Sequence, residues 1–106
     1  MQEFNQLLSS IERSEFKPFY LLSGTEPYFI DRFEAKITEK LTDEASRSFD
    51  YSLFYGKEVE TREVIETAKR FPLLATYHLV VVREAQHLDK STDLIAEYLS
   101  QPQKKT

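Results

Sequence analysis

The chain has 106 residues, enough for one domain with a modest core, and its 41% hydrophobic and 30% charged residues exclude an intrinsically disordered segment. It has no cysteine, which excludes a disulfide framework and a thiolate metal site. A net charge of −4 leaves no electrostatic footprint for nucleic acid.

The opening "MQEFNQLLSS" lacks the basic start and apolar core of a signal peptide. No apolar run approaches the roughly 20 residues that span a bilayer. The expected setting is the cytoplasm, with no membrane partner. Phe4, Leu7, Leu8 and Ile11 recur at helical spacing and predict a short amphipathic helix over 2–12. Phe19-Tyr20-Leu21-Leu22, closed by Ser23-Gly24, predicts a strand apolar on both faces, as in a buried parallel sheet. Pro18 stands at its start, where a missing N–H is tolerated.

A second helix is predicted to begin near Thr25-Glu26-Pro27, with Thr25 or Glu26 as cap and Pro27 in the first turn. Phe29, Ile30, Phe33, Ile37 and Leu41 form its inner face, and charges of both signs fill the other. "FDYSLFYG" at 49–56 predicts a second strand, with Gly56 as its stop. "ETREVIETAKRF" predicts a helix turned inward through Val64, Ile65 and Ala68. Leu79 to Val82, mostly β-branched, predicts a central strand. Ser91 or Thr92 can cap a last helix with Leu94, Ile95, Tyr98 and Leu99 inside. Strands alternating with helices imply right-handed crossovers, a parallel sheet and helices on both sides. The domain is expected over 1–102, with 103–106 the start of a linker and the whole a fragment of a longer protein. No repeat or low-complexity segment appears.

The strand, glycine turn and helix at 20–37 have the layout of a phosphate-binding loop. Such a loop needs glycines for close backbone approach, a lysine for phosphate charge and a Ser/Thr for magnesium. Here Gly24 is alone, no lysine lies between Lys17 and Lys36, and Glu26 would set a carboxylate where phosphate sits. The strand at 79–82 ends in Arg83 followed by Glu84, where a P-loop ATPase carries a magnesium-holding aspartate. The spacing fits a nucleotide-binding fold without its nucleotide. It equally fits a parallel α/β domain that never had such a site. No cofactor is expected.

Catalytic signals are thin. His78 and His87 have no carboxylate partners at metal spacing and read as structural or surface residues. Ser23 precedes a glycine but lacks the rest of a nucleophile elbow. Glu58, Glu60 and Glu63 suit the dipole of a helix start. "KRFPLLATYH" at 69–78 is different. Pro72 should end or bend the helix before it, and Leu73, Leu74 and Ala75 follow at once. A connection is normally polar. An apolar one either packs under the sheet end or stands out as a docking wedge.

"KPFYLLSGTEPYFIDRF", "FDYSLFYGKE", "EVIETAKRFPLLATYHLVVVREAQHL" and "LIAEYLSQP" together resemble the N-terminal domain of the delta-subunit family of bacterial DNA polymerase III, a clamp-loader family. The resemblance implies a three-layer α/β fold of the P-loop NTPase and AAA+ type without a functional nucleotide site. It implies no catalysis by this segment, although the family belongs to a polymerase holoenzyme. The implied role is to bind the sliding clamp (beta) and promote ring opening during DNA replication. Other clamp-loader subunits would be engaged through regions missing here, and DNA only indirectly. In the family, two adjacent bulky apolar residues just before the strand at 79–82 insert into a clamp pocket, which by position maps to Leu73 and Leu74. The implied clamp-binding set is Phe71, Pro72, Leu73 and Leu74. Leu74 departs from the aromatic residue of the best-known form. The rival reading is a generic P-loop-like nucleotide-binding enzyme domain.

Overall fold

The structure, a computed structural model, describes residues 2–22, 27–88 and 92–106. In chain order it contains α1 (Gln2–Glu12), α2 (Pro27–Leu41), a helical turn α3 (Arg47–Asp50), β1 (Tyr51–Tyr55), α4 (Thr61–Ala68), β2 (Leu79–Arg83), a 3₁₀ turn (Ala85–His87) and α5 (Thr92–Ser100). Among the described residues β1 and β2 form one parallel two-stranded sheet, with Tyr51 opposite Leu79, Leu53 opposite Val81 and Tyr55 opposite Arg83. The chain is thus an α/β domain built around a parallel ladder.

The alternation of side chains along a strand sorts the sheet into two faces. Tyr51, Leu79 and Val81 pack with the apolar stripes of α1 and α2, around buried Ile11, Phe33 and Ile37. Each of those three contributes about 1.5–3 kcal/mol over its exposed state. The other register, Ser52 and Phe54 with Val80 and Val82, is half-buried, and α4 contacts β2. Helix α5 packs on α4, where the Tyr98 hydroxyl donates to the Ala68 carbonyl (3.3 Å). The inner faces predicted for the four main helices are the ones that turn inward.

Helix α1 ends on Ser14, a non-glycine residue at φ 60°. Glu15 N–H donates to the Ser10 carbonyl (2.9 Å) and Ser14 N–H to that of Ile11 (3.0 Å), the two bonds of a Schellman end. Lys36 of α2 then pairs with Glu12 of α1 and holds that carboxyl below its ordinary value.

Three expectations need correction. Residues 19–22 are not a strand buried on both faces. They pair with neither β1 nor β2, and Phe19 and Leu21 are exposed at 47% and 73%. Only Tyr20 and Leu22 reach the core, with the Tyr20 ring tilted on Phe33. Apolarity announces burial but not a ladder partner, and the alternation here is one-sided. The second strand starts at Tyr51, not Phe49. Asp43 and Ser46 bond reciprocally, Asp50 N–H donates to the Ser46 carbonyl (2.8 Å), and a helical turn results. The helix expected to run to Phe71 stops at Ala68, because Pro72 disfavours a helical conformation at Phe71. The expected turn at Ser23-Gly24 and the caps Thr25, Glu26 and Ser91 lie outside the described residues.

Gly56 does mark the end of β1, for a reason of space. Its N–H donates to the Arg83 carbonyl (2.8 Å), which brings it against Glu84. A Cβ at Gly56 would run into the Glu84 carbonyl, and Glu84 is already in the left-handed region at φ 55°. That same carbonyl receives the His87 N–H of the 3₁₀ turn (3.0 Å). Gly56→Ala is therefore expected to destabilise the fold by about 1–3 kcal/mol in denaturant unfolding. The exposed neighbour Lys57→Ala should stay within about 0.5 kcal/mol.

Candidate partner-docking site

The connection between α4 and β2 carries the apolar run singled out in the sequence. Lys69 N–H still bonds to the Ile65 carbonyl and Arg70 N–H to that of Thr67, and then the helix is over. Phe71, Leu73 and Leu74 are exposed at 69%, 69% and 61%, and Pro72 between them is half-buried. Of the two readings open for this stretch, packing under the sheet end is therefore not what the chain does. It holds three large apolar side chains exposed within four successive loop positions.

The backbone beneath them is anchored. Asp50, the last residue of α3, is wholly inaccessible to solvent. Its carboxylate accepts the N–H of Leu73 (2.5 Å) through one oxygen, and those of Leu74 (2.7 Å) and Ala75 (2.5 Å) through the other. Burial pushes this carboxyl up, but the donations from Ala75, Leu73 and Leu74, helped by the nearby His78, hold it below its ordinary value. Sequence reasoning placed Asp50 inside a strand and gave it no role. The available signal was an acid between Phe49 and Tyr51 in an otherwise apolar stretch.

His78 closes the loop on its β2 side and is 2% exposed. Its Nε2 lies 3.1 Å from the Ser52 hydroxyl and 3.5 Å from the Arg70 guanidinium, and its backbone N–H donates to the Lys105 carbonyl (2.6 Å). The segment after α5 is thereby drawn against the loop, where the Gln103 side chain also donates to the Lys69 carbonyl (3.3 Å). His78 is thus a structural residue, whereas His87 is exposed. At the opposite end of β2, Arg83 faces Glu34 of α2 (2.9 Å) and reaches the Tyr55 hydroxyl (3.4 Å). No group of metal-ligating side chains occurs among the described residues. No helix among them is long and apolar enough to cross a membrane.

Residues 20–106 match the family described as DNA polymerase III, delta subunit. The chain belongs to the DNA polymerase III delta-subunit family. A curated relative, DNA polymerase III subunit delta of Bacillus subtilis (strain 168), is 28% identical over 79 residues, covering 74% of this chain and 23% of that protein. Among solved structures, the Bacillus subtilis DNA clamp loader delta protein (YqeN) superposes with a TM-score of 0.87 at 21% identity. That match covers 97% of this chain and 33% of the other, so this chain spans about a third or less of the delta proteins it resembles. At that identity the likeness speaks for the fold.

The His78 environment carries a sign that can be measured. Burial first, then the Arg70 charge, lower its pKa, and a hydrogen bond with the Arg70 backbone and then the Asp50 charge offset this in part. The unfolded chain therefore takes up a proton near the ordinary histidine value of about 6.5 while the folded chain does not. Stability is expected to fall as pH drops below that value, before the carboxylates titrate. Denaturant midpoints measured from pH 7.5 downward should show the slope, and His78→Gln should flatten it.

Proposed function

We propose that this domain grips the DNA sliding clamp through the exposed knob Phe71, Pro72, Leu73 and Leu74. The observation that carries the reading is the exposure of Phe71, Leu73 and Leu74 together on an anchored loop. Compact apolar anchors of this kind dominate the energy of protein interfaces once a partner's pocket desolvates them. Membership of a clamp-loader family supplies the partner class. Ring opening then follows as linkage: the domain favours an opened clamp by its extra affinity for that state and by no more than that. DNA is engaged only indirectly, the other clamp-loader subunits bind through regions beyond these residues, and the work is done in the cytoplasm. The unit that grips is the domain of residues 1–102.

Clamp binding by the Leu73→Ser/Leu74→Ser variant, measured by titration calorimetry against the cognate clamp, is expected to weaken by about a hundredfold or more. Equal binding by the variant and the unmutated chain would overturn the reading.

The same proposal makes the fold an AAA+-like, three-layer frame that binds no nucleotide. Its support is Arg83, which stands where a P-loop ATPase keeps a magnesium-holding acid and is engaged by Glu34. A guanidinium there repels a divalent cation, so titration with labelled ATP and magnesium should give no saturable binding. Micromolar, magnesium-dependent binding would instead favour the nucleotide-enzyme reading.

A further inference from the structure

Exposed leucines on a loop are an unstable arrangement unless something fixes the backbone that bears them. Left free, a connection with Phe71, Leu73 and Leu74 lowers its free energy by folding those side chains back onto the protein. Here they remain out, and the loop's polar groups are what turn inward. Three successive N–H groups, those of Leu73, Leu74 and Ala75, converge on one carboxylate. With the amides committed inward, the two leucine side chains are left on the solvent side.

The acceptor suits that task. Asp50 is itself fixed, since its own N–H donates to the Ser46 carbonyl (2.8 Å) at the end of α3, next to the first residue of β1. It lies 23 residues before Leu73, so the contact joins the entry of one strand to the approach of the other. An ionised carboxylate has lone pairs for all three donors and no proton of its own to place. An amide or hydroxyl at this position would not match three donors as well.

We propose that Asp50 is the positioning residue of the docking knob, fixing the backbone of Leu73, Leu74 and Ala75 so that the leucines project before a partner arrives. This rests on the docking reading above and adds where its preorganisation comes from. A knob held in its bound form loses less conformational entropy on association than one ordered only on contact.

The test compares the unmutated chain, Asp50→Asn and Leu73→Ser/Leu74→Ser. Circular dichroism reports the fold, hydrogen exchange reads the amides of Leu73, Leu74 and Ala75, and titration against the cognate sliding clamp gives affinity. Asp50→Asn is expected to keep its fold, to lose protection at those three amides, and to bind the clamp about tenfold more weakly, the effect of ordering one or two side chains on contact. The protected β1–β2 amides should be unaffected, which separates positioning from general loss of stability. Retained protection at 73–75, or lost protection with unchanged clamp affinity, overturns the assignment of Asp50. If Asp50→Asn fails to fold, exchange in the unmutated chain decides: slow amides at 73–75 support the assignment, and open-chain rates overturn it. Failure of the docking reading itself appears elsewhere, as equal clamp binding by the unmutated chain and Leu73→Ser/Leu74→Ser with Asp50 intact.

Discussion

A carboxylate taken wholly out of water is tolerated only when fixed donors replace its hydration, and Asp50 has three of them in a row. The donors belong to the approach to β2 and the acceptor to the entry of β1, so this one contact joins the approaches to the two strands. The parallel ladder then runs in register from Tyr51 opposite Leu79 to Tyr55 opposite Arg83. At its far end Gly56 takes up the Arg83 carbonyl, so the two strands are tied at both ends by contacts outside the ladder itself. Two strands alone are marginal in water. Here the stripes of α1 and α2 on one face, with α4 against β2, complete the burial that the ladder lacks.

Much of this was legible in the sequence, and what was not has a common cause. The helices announced themselves because 3.6-residue periodicity is local: Ile11, Phe33 and Ile37 could be placed inside without knowing their neighbours. The strand at 79–83 was legible for its β-branched run. The stretch 19–22 is legible as apolar but not as unpaired, because ladder partners are non-local. Asp50 was missed for the same reason. Its meaning lies in amides 23 to 25 residues away, and a backbone N–H leaves no trace in a residue pattern. The apolar run at 71–74 was legible as an anomaly, but not its exposure, which depends on that unseen anchor.

Family membership does not by itself say what a segment of this size does. The chain corresponds to about a third of the clamp loader delta protein it superposes on, and at that share the likeness speaks for the fold. What the described residues offer can still be argued from chemistry. The described residues offer no metal-ligating cluster, while the surface offers a group of large apolar side chains on a fixed backbone. The exposed group is what the docking reading proposed above rests on, since shape and desolvation dominate recognition.

The position of the knob within the fold points the same way. In open parallel α/β sheets, ligand chemistry collects outside the carboxyl ends of the strands. In this chain, among the described residues, the carboxyl ends of β1 and β2 carry contacts within the protein itself. Arg83 lies in the carboxylate of Glu34 against the Tyr55 hydroxyl, and Gly56 and Glu84 are too close to admit even a methyl group between them. The apolar loop and Asp50 lie instead toward the amino ends, before β1 and β2 begin. Apolar bulk there does not compete with a phosphate site for the same glycine-lined turns. A scaffold arranged in this way can devote one end of its strands to closing the sheet and the other to a partner. The buried acid at the start of β1 holds the backbone of the loop on which that second use would rest.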